Sequence, residues 1–154
     1  MKIWIASDHA GLELKNKLVQ VLQKNQQDEI FDLGPNSTES VDYPDFADLV
    51  SQQLNKSIQI TQSTLRNEFG ILICGSGQGM ALRANKYPFI RAALVYSDEI
   101  CKLAREHNNA NILCIGARFC SLEQAAHWVE VFKKTHFAGG RHQTRVAKVS
   151  SPIS

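Results

Sequence analysis

The chain has 154 residues, of which 44% are hydrophobic and 21% charged, and its formal net charge is +2 at pH 7. This length predicts a single compact domain over residues 1–154. The small charge surplus argues against nucleic acid or a membrane as a partner, so any anion site must be built locally from a few cations and backbone N–H groups.

Nothing near the amino terminus predicts export, because the apolar run Met1–Ala6 is too short for a signal peptide. No apolar run is long enough to span a bilayer.

The four cysteines show neither close CxxC spacing nor a zinc pattern with histidines. We interpret them as reduced thiols of a cytoplasmic protein, and we expect Cys101, Cys114 and Cys120 to be small buried hydrophobes.

Short β-branched or apolar runs alternate with longer helical patterns along the chain. The predicted strands are Ile3–Ala6, Glu29–Leu33, Gly70–Cys74, Arg91–Val95 and Asn111–Ile115. The predicted helices that follow them are Leu12–Lys24, Asp45–Leu54, Gly79–Tyr87, Asp98–His107 and Leu122–Lys134. Strict alternation requires right-handed crossovers, which predict an α/β fold with a five-stranded parallel sheet covered on both faces.

Local signals support individual helices. In the first helix an apolar stripe has helical spacing and predicts that Lys15 lies off the buried face. The stripe comprises Leu14, Leu18, Val21 and Leu22. Ser97 precedes two acidic residues and predicts a helix start. Ser121 and Gln124 predict a capping box.

One segment fits the alternation poorly. Asn55–Glu68 is polar, has no clear periodicity and is longer than the usual connection in an α/β unit. We expect it to form a surface excursion between the second helix and the third strand.

In an open parallel sheet, ligands bind outside the carboxyl ends of the strands. This rule selects four short stretches of the chain as candidates. They are Asp8-His9 after the first strand, Asp42-Tyr43 beyond the second, Cys74–Gly79 after the third and Ser97 after the fourth.

The loop Cys74–Gly79 has glycine at alternate positions, which lets several N–H groups approach one ligand oxygen at a helix N-terminus. It is not a dinucleotide fingerprint, because Met80 replaces the last glycine, and it lacks the Lys-Ser/Thr of a Walker A loop. Ser76 also lacks the flanks of a nucleophile elbow. The loop is therefore either an anion or oxyanion cradle or a tight structural turn.

Cys74 lies where N–H groups and a helix N-terminus stabilise a thiolate. Such a thiolate acts as a nucleophile or as a base. From the residues alone, a buried thiol without a catalytic role remains the alternative.

Two further candidates lie in the second half of the chain. If the stretch after Gly139-Gly140 is helical, Arg141 and Arg145 share one face and can grip a phosphate, although a solvated face is the alternative. His107 ends a predicted helix, where it serves either as an acid near neutral pH or as a capping cation.

Several short motifs occur together and in order along nearly the whole chain. They are Asp8-His9-Ala-Gly, Ser-Val-Asp42-Tyr43-Pro, Gly-Ile-Leu-Ile-Cys74-Gly-Ser76-Gly-Gln-Gly79, Ala-Asn85-Lys, His107-Asn108, Gly116-Ala-Arg118 and Gly-Gly-Arg141-His142-Gln-Thr-Arg145. This set resembles the RpiB/LacA/LacB family of sugar-phosphate isomerases, and within it the ribose-5-phosphate isomerase B type.

The resemblance implies a Rossmann-like three-layer α/β/α sandwich with a carboxy-terminal helical tail over about residues 136–154. It also implies a homodimer or a dimer of dimers, with active sites at the subunit interface. No metal ion and no organic cofactor are implied.

The resemblance also assigns roles. Cys74 matches the base that moves a proton between C1 and C2, and Ser76 a donor to the enediolate. His107 matches the acid that opens the furanose ring, with Asp8 on the same side. The matched substrate-binding positions are His9, Arg141 and Arg145 for the phosphate, Tyr43 for the sugar, Gly75, Gly77, Gln78 and Gly79 for the enediolate, and Asn108 and Arg118. In the family pattern His107, Asn108 and Arg118 would come from the partner subunit.

Met80 stands where a second version of the family carries a glutamate base, so the sequence resembles the cysteine version. The implied reaction interconverts D-ribose 5-phosphate and D-ribulose 5-phosphate, a step of the pentose phosphate pathway. Two alternatives stay open from the sequence. One is isomerisation of a six-carbon substrate such as allose or galactose 6-phosphate, and the other is a sugar-phosphate-binding module without turnover.

Overall fold

The computed structural model describes residues 1–61 and 67–151. The strands are β1 (Lys2–Ser7), β2 (Glu29–Asp32), β3 (Glu68–Cys74), β4 (Ala92–Val95) and β5 (Ile112–Gly116). The helices are α1 (Leu12–Lys24), α2 (Tyr43–Thr61), α3 (Gln78–Ala84), α4 (Asp98–Asn108), α5 (Leu122–Lys134) and α6 (Arg141–Val149). Every strand and helix predicted from the sequence pattern is present.

The five strands form one sheet in the order β2-β1-β3-β5-β4, and every neighbouring pair is parallel. β3 lies in the centre of the sheet, so Phe69 to Cys74 are buried. The carboxyl end of β3, where Cys74 lies, is therefore in the middle of the edge at which α/β sheets bind ligands.

The sheet is covered on both faces, as predicted. Successive side chains of β3 point to opposite faces, since the side-chain period of a strand is two. Ile71 and Ile73 pack with residues of α1, α4 and α5 in one core. Leu72 and Cys74 pack with residues of α2 and α3 in the other. The three-layer α/β/α architecture is confirmed.

Several element boundaries differ from the predictions, and the largest difference lies between α2 and β3. The expected excursion over Asn55–Glu68 is wrong at both ends, because α2 continues to Thr61 and β3 begins at Glu68. No glycine or proline interrupts the stretch from Asn55 to Thr61, so a helix anchored by buried Leu54 extends through it. Residues 62–66 of the expected excursion lie outside the described residues.

The buried stripe of α1 is rotated relative to its prediction. Its buried residues are Leu12, Lys15, Leu18 and Leu22, whereas Val21 is exposed and Leu14 is only partly buried. Lys15 was expected at the surface, yet its side chain is 0% exposed. An apolar pattern could not reveal a buried lysine, because this burial depends on a carboxylate partner that is distant in sequence.

Local helix signals were reliable. The Ser97 hydroxyl accepts a bond from the Ile100 N–H, and Ser121 and Gln124 form the predicted capping box. Within residues 1–61 and 67–151, no helix combines the length and the apolar character needed to cross a bilayer.

Candidate active site

The loop between β3 and α3 turns sharply above the centre of the sheet. Gly77, the residue before α3, has φ = 77°, a left-handed conformation that glycine adopts without steric cost. This turn brings the Gly77 N–H to 3.1 Å from the Sγ atom of Cys74, to which it donates a hydrogen bond. The Cys74 side chain is held in place and receives a donor that stabilises negative charge on sulfur.

Tyr43 and Ser76 border the same loop. The Tyr43 ring packs so closely on Gly79 that a Cβ atom there would lie 2.6 Å from the ring. Ser76 is exposed, and its hydroxyl accepts a 3.4 Å bond from the N–H of Gln78, the first residue of α3. The structure thus brings together Cys74, the loop and Tyr43, as the sequence predicted.

Arg118 lies beside this loop in its own chain. Its guanidinium carbon would be 3.2 Å from a Cβ atom at Gly75. Two backbone bonds hold the segment, from the Ala117 N–H to the Cys74 carbonyl and from the Arg118 N–H to the Gly75 carbonyl. The expectation that Arg118 reaches the site from a partner subunit therefore differs from the structure, since Arg118 already lies at the loop of its own chain.

The turn after β1 supplies a buried carboxylate next to the loop. The Asp8 N–H donates to the carbonyl of Ile73, the residue before Cys74, and the side chain of Asp8 accepts a 2.9 Å bond from the Gly11 N–H. Asp8 is only 7% exposed. Asp8 is thus adjacent to Cys74, as the parallel pairing of β1 with β3 requires.

His9 is exposed beside Asp8. Its Nδ1 atom lies 3.2 Å from the Val41 N–H and accepts that bond. A ring nitrogen that accepts carries no proton, so the neutral His9 ring holds its proton on Nε2. This leaves an N–H donor directed away from Val41 and available to a ligand.

The other predicted residues form a second group around the end of α4. The rings of His107 and His142 stack with their centroids 4.2 Å apart, and Asn108 is the next residue. Arg141 and Arg145 lie on α6, which confirms that the tail is helical. Desolvation, followed by the charges of His107, Arg141 and Arg145, lowers the pKa of His142.

These two groups lie at opposite edges of the sheet. The residues after His107 run directly into β5, and the Asn111 N–H donates to the Arg91 carbonyl just before β4. The His107 group is therefore at the amino ends of the strands, whereas Cys74 is at a carboxyl end. β5 has five residues, so the two edges are roughly 15 Å apart at the usual strand rise. One sugar phosphate cannot contact both groups of a single chain.

Sequence reasoning missed two arginines that hold the His107 turn. Arg91 Nε donates to the Asn109 carbonyl at 2.9 Å, and Arg105 donates to the Asn109 side-chain oxygen at 3.2 Å. Burial lowers the pKa of both arginines. Asn109 has φ = 47°, and the Asn-Asn pair after His107 was the one available signal for this turn.

The remaining cysteines show no sign of a catalytic role. Cys101 and Cys114 are 0% exposed and Cys120 is partly buried. Burial raises the pKa of Cys101 to about 12 and also raises the pKa of Cys114 and Cys120. Their prediction as small buried hydrophobes is confirmed for Cys101 and Cys114.

Comparisons with known proteins agree with this geometry. The family model for ribose/galactose isomerases matches residues 3–149. A probable ribose-5-phosphate isomerase B of Mycoplasma genitalium is 44% identical over 148 residues, which cover 96% of this chain and 92% of that protein. The chain belongs to the ribose/galactose isomerase family, as its motifs indicated.

Two solved structures share the fold closely. The ribose 5-phosphate isomerase of Thermotoga maritima is 45% identical, with a TM-score of 0.84 and 97% of each chain covered. The ribose-5-phosphate isomerase B of Mycoplasma genitalium with bound ribulose-5-phosphate is 43% identical, with a TM-score of 0.87, over 97% of this chain and 93% of that one. The fold class predicted from the sequence is therefore confirmed.

Gly116 offers a test of how tightly the loop is held. A Cβ atom at this position would lie 2.7 Å from the Ser76 carbonyl oxygen, so Gly116→Ala must push the loop away from β5. We expect a loss of about 1–3 kcal/mol in the free energy of unfolding, measured by urea denaturation. We also expect a lower kcat for sugar-phosphate isomerisation, because the N–H donors of the loop move away from Cys74. An unchanged free energy of unfolding and an unchanged kcat would contradict this prediction, because the loop could then shift without affecting the fold or the site.

Proposed function

We propose that this chain is an aldose–ketose isomerase that interconverts D-ribose 5-phosphate and D-ribulose 5-phosphate. The observation that carries the proposal is the Cys74 thiol, which accepts the Gly77 N–H and adjoins the turn of the buried Asp8. Membership of the family supports it, as does the relative whose structure holds ribulose-5-phosphate.

In the proposed reaction the Cys74 thiolate removes the proton from C2 of the open-chain aldose. The C1–C2 bond gains double-bond character, and the electron pair of the C1 carbonyl moves onto oxygen to form an enediolate. The thiol returns its proton to C1, and the proton of the C2 hydroxyl passes to the C1 oxygen, which yields the ketose. Sulfur gains and loses only a proton, as expected of a general base.

The glycine loop is the proposed binding site for the enediolate. We assign the N–H groups of Gly75, Gly77, Gln78 and Gly79 to this site, together with the Ser76 hydroxyl. In the structure the Gly77 N–H donates to Cys74 Sγ and the Gln78 N–H donates to Ser76 Oγ. Donors that are fixed before the reaction stabilise developing oxygen charge without reorganisation, and this is usually a large part of catalysis. Tyr43 and Arg118 border the same space and are assigned to binding the sugar.

The second group of residues is assigned to a neighbouring copy of the chain. We infer a homodimer or a dimer of dimers, in which His107 and Asn108 of one copy reach the Cys74 loop of another. There His107 would protonate the ring oxygen, while Asp8 takes part in the same ring opening. Arg141 and Arg145 lie with His107, so they are assigned to the phosphate of that neighbouring site, opposite His9.

The surface around the loop suits such a contact. Tyr96 is 65% exposed and Phe119 is 72% exposed. Both line a cavity of 230 Å³ that also contains Ser76 and Gln78 of the loop. Large exposed apolar side chains next to a polar site favour coverage by another protein surface.

The proposed chemistry uses only side chains and backbone N–H groups of the protein. Cys74, the loop donors and the arginines provide the base, the enediolate donors and the phosphate contacts, so we assign neither a metal ion nor an organic cofactor. The four free cysteines suit a reducing compartment, which supports our placement of the protein in the cytoplasm.

A coupled assay with purified protein tests the proposed function. We expect conversion of ribose 5-phosphate, unchanged by a metal chelator, with a higher kcat/KM than for allose 6-phosphate or galactose 6-phosphate. A preference for a six-carbon substrate would replace the five-carbon assignment. Binding without turnover across these sugar phosphates would instead identify a binding module.

A further inference from the structure

Lys15 is buried at a place where a positive charge is unfavourable. Its side chain is 0% exposed, and it lies near the N-terminus of α1, at the positive end of the helix dipole. Both burial and the dipole disfavour an ammonium group, so its presence needs compensation from specific partners. None of the roles proposed above uses Lys15.

Three oxygen atoms provide that compensation. The Nζ atom of Lys15 lies 2.7 and 2.6 Å from the two carboxylate oxygens of Asp32, and 3.0 Å from the Pro35 carbonyl. Asp32 also accepts a 2.9 Å bond from the Gly34 N–H. One ammonium group therefore ties the end of β2 and the first residues of the following loop to α1.

This loop, residues 33–42, connects β2 to Tyr43 at the start of α2 and passes the Asp8–His9 turn. At its beginning, the Gly34 carbonyl accepts the Ser7 N–H. At its end, the Val41 N–H donates to His9 Nδ1. The residues between, Asn36 to Ser40, are all exposed. Since little packing holds the middle of the loop, its course depends on how its ends are anchored.

We infer that Lys15 is a positioning residue of the active site. By holding Pro35 and Asp32, it sets the course of the loop that presents the Val41 N–H to His9 and places Tyr43 against the glycine loop. His9 then keeps its proton on Nε2, directed toward the substrate phosphate. The inference rests on the proposed function for its kinetic consequence, but the state of His9 is independent of any activity.

The variant Lys15→Met/Asp32→Asn separates positioning from stability. Methionine fills the volume of the lysine stem, and asparagine keeps an acceptor for the Gly34 N–H. Both charges are removed together, so neither is left buried without a partner. Only the bonds from Nζ to Pro35 and Asp32 are lost. Lys17→Met is the matched control, because Lys17 lies on the same helix and its one ion pair among the described residues is with exposed Glu13.

We expect the double variant to melt near the wild-type temperature and to raise KM for ribose 5-phosphate about tenfold, with kcat within about threefold. Cys74 and its loop belong to other elements, so the proton transfer itself should be retained. The control should match the wild type in both constants.

Nitrogen-15 spectra of histidine-labelled protein provide the second measurement. In the wild type we expect His9 to show the Nε2–H form alone, with its signal assigned by its loss in His9→Gln. In the double variant we expect an average of both tautomers, because the Val41 donor is displaced. This readout does not depend on turnover, so it remains informative even if the protein fails to isomerise ribose 5-phosphate.

The outcomes are distinct. A raised KM together with a changed His9 signal, at wild-type stability, supports the positioning role. An unchanged His9 signal overturns it, whatever happens to KM. Loss of folding in the double variant also overturns it, since the ion pair would then be needed for the fold rather than for the site.

Discussion

Cys74→Ala is expected to reduce kcat for ribose 5-phosphate by roughly 100- to 10,000-fold, the range typical for loss of a general base. Cys74 is 4% exposed and packs with Leu72 and Met80, so alanine leaves only a small cavity and the fold should persist. KM should change little, because the phosphate contacts lie elsewhere. Steady-state kinetics and thermal unfolding of the purified variant measure both effects.

Cys120→Ala is the matched control for this variant. It removes a thiol that is also near the carboxyl edge but is partly exposed, and that donates to the Gly116 carbonyl. We expect its kcat to equal that of the wild type. Equal activity of Cys74→Ala and Cys120→Ala would remove Cys74 from the mechanism and leave the loop as a binding element alone.

A heterodimer of two inactive variants is expected to regain activity. His107→Asn should lower kcat by about 100-fold, since an acid for ring opening is lost. If Cys74 and His107 of one site come from different chains, a dimer of Cys74→Ala with His107→Asn contains one site with both native groups. Its activity should be about half that of the proposed wild-type dimer, in which both sites would be intact.

Co-expression with two different affinity tags isolates this heterodimer. Dimers of Cys74→Ala purified with the same two tags should stay inactive, which controls for the tags. If both groups act within one chain, the heterodimer would have no intact site, and its activity would not exceed that of its parents. That result would contradict the proposal that each site combines Cys74 and His107 from two chains. The proposal rests on the roughly 15 Å separation of the two edges within one chain.

The fold was predictable because its determinants are local. Short apolar runs that alternate with helical patterns predicted every strand, and the capping box at Ser121 predicted the start of α5 correctly. α3 was predicted too long, since Asn85 leaves the helix to exchange two bonds with the backbone of Ala92. The sequence pattern of α3 does not reveal this pairing, because Ala92 lies outside the helix, at the start of β4.

The candidate site was predictable in part. The rule that ligands bind at the carboxyl ends of parallel strands brought Asp8, Tyr43 and Cys74 together correctly. Arg118 was expected from a partner subunit, but its own chain places it beside Gly75. Its position follows from the pairing of β3 with β5, a contact between segments distant in sequence.

The sequence alone determined the alternation of strands and helices, the glycine loop after Cys74 and the family. These depend on side-chain periodicity, backbone freedom and ordered motifs, all of which are readable along the chain. Tertiary structure decided three further matters: the burial of Lys15, the partner of His9 and the separation of His107 from Cys74. Each depends on which segments the sheet order β2-β1-β3-β5-β4 brings together, and that order is set by packing across the whole fold.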